Sequence, residues 1–135
     1  MIFLGGWEAV LAVCEGGNPL DIDCLAETRD GPAEFQARNG SHHVMIAPPG
    51  CRHLKVPASR IAAYMQPGSV RQAYSPLFEA LGVPGAMMLV HCKNGRHRSA
   101  QVCSALLIVV LGGHYEYVLN YLYLRRGAVE FHALR

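Results

Sequence analysis

Residues 87–100, Met-Met-Leu-Val-His-Cys-Lys-Asn-Gly-Arg-His-Arg-Ser-Ala, constrain this chain more than any other stretch. Four apolar residues suited to a buried strand, Met87 to Val90, run straight into His91-Cys92. A short basic loop containing Gly95 follows, then Arg98-Ser99 and a long apolar segment. The order reads as strand, loop, helix, the building unit of an α/β layer. It sets the backbone N–H groups of the loop at a helix N-terminus, where uncompensated donors and the positive end of the dipole favour an anion. A cysteine at the mouth of such a loop is placed to be a thiolate nucleophile at neutral pH. Nucleophile and oxyanion cradle therefore fall within the eight residues from Cys92 to Ser99.

The rest of the chain supplies alternating strands and helices around that unit. Met1 to Leu4 reads as a first strand ended by Gly5-Gly6, and Trp7 to Cys14 has the three-and-four apolar spacing of a helix face. Leu20 to Leu25 alternates Leu20, Ile22 and Cys24 with Asp21 and Asp23, as a half-buried strand does, with irregular loop as the other reading. From Ala26 to Ser41 the chain turns polar, and a connection with at most one short helix at Glu34 to Arg38 is expected. His43 to Ala47 reads as a strand, and residues 48–68, with four prolines and two glycines, as a long loop or broken helix. A helix is expected over Val70 to Leu81, with Ser69 as N-cap, Gly82 as stop and Pro76 able to move its start. Ala86 to Val90 forms the central strand, Arg98 to Leu111 a helix apolar all round and hence buried, and Tyr115 to Arg125 a last helix. At 135 residues, half of them apolar and without repeats or a composition break, the chain reads as one domain spanning residues 1–135.

The nine residues His91-Cys92-x-x-Gly95-x-x-Arg98-Ser99 resemble the signature of the cysteine-dependent protein tyrosine and dual-specificity phosphatases, in which Cys and Arg are separated by five residues. The resemblance is close over residues 83–131, where Tyr117 to Phe131 also resembles the family's closing helix and its Arg-Arg-x-x-Val tail. Earlier in the chain only Phe3-Leu4-Gly5 and Trp7-Glu8-Ala9 are similar to the family's opening strand and helix. It implies a single-domain fold with a central four- or five-stranded sheet flanked by helices. Carried over by motif, Cys92 attacks phosphorus and forms a cysteinyl-phosphate intermediate, and Arg98 grips two equatorial oxygens. Ser99 donates to the sulfur as it leaves, and His91 fixes the loop from behind or is simply a satisfied buried histidine. Lys93, Asn94, Gly95, Arg96 and His97 form the phosphate cradle. Basic residues at the first and fourth positions after the cysteine resemble members acting on phosphoinositides or inositol polyphosphates. With His97 at the fifth, the loop is most similar to the atypical plant and fungal dual-specificity group, some of whose members act on inositol pyrophosphates. The other reading of Lys93, Arg96 and His97 is that they face solvent and serve solubility. Phosphoproteins remain the alternative substrate class.

One expected part is missing. The family takes its general acid from an aspartate about thirty residues before the cysteine, yet Asp21, Asp23 and Asp30 are the only aspartates and no carboxylate lies between Glu34 and Glu79. His53 is the titratable residue best placed to stand in, ahead of Cys51. Three readings follow: a slow phosphatase favouring good leaving groups, a pseudophosphatase that binds phosphorylated ligands, or a redox-sensitive thiol with Cys51 or Cys103 as resolving partner. The five cysteines are odd in number and widely spaced, so neither a zinc site nor a disulfide framework is expected, and no metal or other cofactor is implied. A formal net charge of +2 does not point to nucleic acid. No segment is long enough for a membrane span and no secretory signal is evident, so a reducing cytoplasmic or nuclear location is expected.

Overall fold

The structure, a computed structural model, describes residues 1–28, 34–36, 39–56, 71–72, 74–92 and 98–111; for 108, 110 and 111 it describes the backbone alone. Its centre is a parallel sheet of four strands: β1 (Ile2–Gly5), β2 (Cys24–Glu27), β5 (Arg52–Lys55) and β6 (Met88–His91). Helix α1 (Trp7–Cys14) follows β1, and an antiparallel hairpin of β3 (Glu34–Gln36) and β4 (His42–Val44) separates β2 from β5. Helices α2 (Ser75–Leu81) and α3 (Arg98–Leu111) flank β6 in sequence. The strand order is β1-β6-β2-β5, so the strand that ends in the His-Cys pair lies inside the sheet.

Register explains the two cores. Met88 pairs with Ile2 and Cys24, Leu89 with Phe3 and Leu25, and Val90 with Leu4 and Ala26. Successive side chains of a strand point to opposite faces. Accordingly Met88, Val90, Cys24 and Ala26 pack with Tyr74, Leu77, Val102 and Leu106 under α2 and α3. Leu89 and Leu25 pack with Val10, Val13, Phe35 and Met45 under α1 and the hairpin. Strands β2 and β6 are buried at every position, as interior strands of a covered parallel sheet must be.

Several sequence expectations need correction. The strand expected at Leu20 to Leu25 starts later, at Cys24, because Asn18 closes a turn: its Nδ2 donates to the Ile22 carbonyl at 2.9 Å and its Oδ1 accepts from the Ile22 amide at 2.8 Å. Asn18 and Asp21 adopt φ of 52° and 53° in that turn, the left-handed region that Asn and Asp tolerate best among non-glycine residues. In the expected connection, which allowed at most one short helix, residues 34–36 form strand β3, and the strand expected at His43 to Ala47 is β4 at His42–Val44. Within residues 48–68, expected as a long loop or broken helix, the chain forms β5, paired among the described residues with β2 at the edge of the sheet. The helix expected over Val70 to Leu81 is interrupted as Pro76 allows: Arg71 and Gln72 are helical, Tyr74 is a turn, and α2 starts at Ser75 with Pro76 in its first turn, where a missing N–H costs nothing. The central strand runs from Met88 to His91, two residues beyond the expected start and one beyond the expected end. Ser69 and the last helix expected at Tyr115 to Arg125 lie outside the described residues.

Gly5 joins the sheet to the site. A Cβ there would stand 2.7 Å from the Ala9 Cβ and 3.2 Å from Leu89 Cδ1, so α1 packs on β1 only because residue 5 has no side chain. Gly5→Ala should destabilise the protein by about 1–3 kcal/mol through overpacking. The check is a lower urea midpoint at unchanged slope; an unaltered midpoint would mean that α1 shifts without cost.

Candidate active site

The C-terminal ends of parallel strands are where open α/β sheets bind ligands. Here that edge carries Gly5, His91, Glu27 and Lys55 side by side, each paired in register with its neighbour. Cys92 follows directly on β6 and its amide still donates to the Gly5 carbonyl at 3.3 Å. Two bonds from β2 hold the turn out of β6: the Thr28 hydroxyl donates to the His91 carbonyl at 2.7 Å and the Thr28 amide donates to the same oxygen at 3.2 Å. The backbone around the cysteine is thus fastened on both sides before the basic loop begins.

From the other side α3 brings Arg98 and Ser99. Ser99 is fully buried and its Oγ lies 3.1 Å from the Cys92 sulfur, across a gap of seven residues. Facing a thiolate, a hydroxyl has one role, that of donor. Arg98 opens the helix and is exposed. The structure therefore brings Cys92 and Ser99 into contact and puts Arg98 next to Ser99 at the helix start. Lys93, Asn94, Gly95, Arg96 and His97 lie outside the described residues.

His91 is completely buried, on the face of the sheet that α1 covers, 6.3 Å between ring centroids from Trp7. Its Nδ1 stands 3.7 Å from Oε2 of Glu27, which is itself 2% exposed. The His53 ring lies at 6.3 Å from that of His91, nearly parallel to it at 23°. His53 thus sits on β5 among the groups behind the cysteine. Glu27 and Thr28 are the residues that sequence reading missed. With the strand drawn to end at Leu25 they fell into a polar connection, although a carboxylate and a hydroxyl directly after Cys24-Leu25-Ala26 are the signal of a strand's functional end.

The other four thiols are poor nucleophiles at neutral pH. Burial raises the pKa of Cys24 to about 11 and that of Cys103 to about 12, with the Cys92 charge adding to the latter. Burial likewise raises Cys14 and Cys51. Cys103 is thus a poor thiolate at neutral pH, which weakens it as a resolving partner.

Solved structures share this fold. Human DUSP28 superposes with a TM-score of 0.64 over 96% of this chain and 81% of its own, at 24% identity. The chain has the dual-specificity phosphatase fold. A mouse putative dual specificity phosphatase, solved with zinc tungstate, matches at TM-score 0.65 and 22% identity over 96% of this chain and 73% of its own. PTPMT1 in complex with PI(5)P matches at 0.62 and 15% identity over 99% of this chain and 84% of its own. No family model and no curated protein matches the sequence. Among the described residues, no helix is long and apolar enough to cross a membrane.

Proposed function

We propose that the chain is a cysteine-dependent phosphatase acting on a phosphomonoester or phosphoanhydride through a cysteinyl-phosphate intermediate. The observation that carries this reading is the Cys92–Ser99 contact of 3.1 Å, formed where the central strand ends and α3 begins. Cys92 attacks phosphorus in line with the leaving oxygen, and the Arg98 guanidinium spans two of the three equatorial oxygens. By the motif resemblance, amides of residues 93–98 would complete the cradle and Gly95 would permit its turn. In the second step water attacks phosphorus, and the Ser99 hydroxyl donates to the departing sulfur. The substrate is a phosphorylated protein or an inositol phosphate or phosphoinositide. The basic side chains Lys93, Arg96 and His97 favour the more highly phosphorylated class, and a reducing cytoplasmic or nuclear compartment would keep the nucleophile a thiol.

The decisive assay offers an aryl phosphate and an inositol pyrophosphate to wild type and compares phosphate release. No turnover on either, with phosphorylated ligand still bound, would replace this reading by the second one, a phosphate-binding protein without turnover. The absence of any carboxylate between Glu34 and Glu79 is what favours that alternative. For the proton, His53 is the proposed donor. His53→Ala should slow alkyl phosphates by about 10²-fold or more and leave aryl phosphates nearly unchanged, because only a poor leaving group needs protonation. Equal loss on both would remove His53 from that role.

A further inference from the structure

Behind the cysteine, three strands bring together a set of metal-type donors that includes His53, which serves as proton donor only in protein free of metal. Glu27 ends β2, His91 ends β6 directly opposite it, and His53 lies on β5 beside β2. A ligand atom from each, one carboxylate oxygen and two imidazole nitrogens, falls within 4.8 Å of both others. We propose that Glu27, His53 and His91 form a binding site for a divalent transition-metal ion of the zinc type.

Three features support it. The first is donor chemistry: two imidazoles and a carboxylate are a borderline-soft nitrogen and oxygen set suited to zinc, and three protein ligands leave a fourth position open. The second is spacing. The Glu27 carboxylate and His91 Nδ1 stand 3.7 Å apart, beyond hydrogen-bonding distance to each other. Two ligand atoms bound to one zinc ion at a tetrahedral or slightly wider angle stand about 3.3–3.8 Å apart. The third is access: Glu27 and His91 are buried and held by the sheet, whereas His53 is exposed on the edge strand. The rigid pair presents two ligands and the edge histidine swings in to complete the set. No spacing in the sequence flags such a site, because its members lie 26 and 38 residues apart and meet only through strand order.

The test is equilibrium dialysis of the full chain against Zn²⁺ in a Cys92→Ser background, which removes the nucleophilic thiol as a ligand and makes the result independent of the phosphatase reading. One zinc per chain is expected, with affinity falling at least about tenfold on adding His53→Ala or Glu27→Gln. Co²⁺ should give a tetrahedral spectrum without thiolate charge-transfer absorption. Absence of saturable uptake, uptake indifferent to His53→Ala, or a thiolate band would each overturn the proposal. Circular dichroism checks folding of each variant, and His53→Ala, an exposed change, carries the test should Glu27→Gln fail to fold.

Discussion

Replacing Cys92 by serine should abolish phosphate release, lowering turnover by at least about 10⁴-fold, as loss of a covalent nucleophile does elsewhere. A hydroxyl is far less acidic than a thiol and is a poor nucleophile at neutral pH. Little else changes: the residue is nearly isosteric, and the hydrogen bond its N–H donates to the Gly5 carbonyl and the strand behind it depend on backbone alone. Affinity for a phosphorylated ligand should therefore survive, measured by calorimetry with an inositol pyrophosphate. The combination of lost turnover and retained binding is diagnostic. Residual release at the wild-type rate would mean that Cys92 is not the nucleophile and that the contact with Ser99 has another purpose.

Arg98→Ala should cost both binding and turnover, the latter by roughly 10³-fold, because the guanidinium is asked to hold charge that grows in the transition state. Arg98 is exposed at the first position of α3, so its removal should leave the melting temperature nearly unchanged. Arg98→Lys should recover only a small part of the loss, since an ammonium supplies charge without the planar fork. The comparison of kcat and KM across the three side chains checks the assignment. Were alanine to alter KM alone, Arg98 would be a ground-state anchor and the transition state would be held by the loop.

What could be read from the sequence followed from strong local signals. β1, α1 and α3 fall within about a residue of the positions their apolar spacing predicts, and the His-Cys pair was expected at a strand's end and stands there. Signals failed where tertiary pairing decided the outcome. Arg52-His53-Leu54-Lys55 has no strand-like apolar pattern, and becomes β5 because the edge of β2 offers a parallel ladder. Glu34-Phe35-Gln36 is polar on either side of one aromatic, yet Phe35 stacks on Trp7 at 4.3 Å and draws the segment into a hairpin. The Asn18 turn displaced β2 toward the C-terminus, and with it went Glu27 and Thr28. Half of the candidate site, Cys92 and the serine against it, is a matter of one contiguous motif. The other half is written across three strands and needs the sheet to be seen.

The strand order carries a consequence for how the protein comes into being. Among the described residues β6 is the last strand of the sheet in the sequence, and it lies between β1 and β2, which are not paired to one another. Among the described residues Ile2 finds its sheet neighbour in Met88, 86 residues later, so β1 emerges during synthesis before that partner. Until Met88–His91 is made, the growing chain exposes two unsatisfied edges and apolar surface on both faces. Long-range closure of this kind folds slowly. Arrival of the strand that ends in the His-Cys pair is then the same event that closes the sheet, and a chain interrupted before it would be a substrate for chaperones.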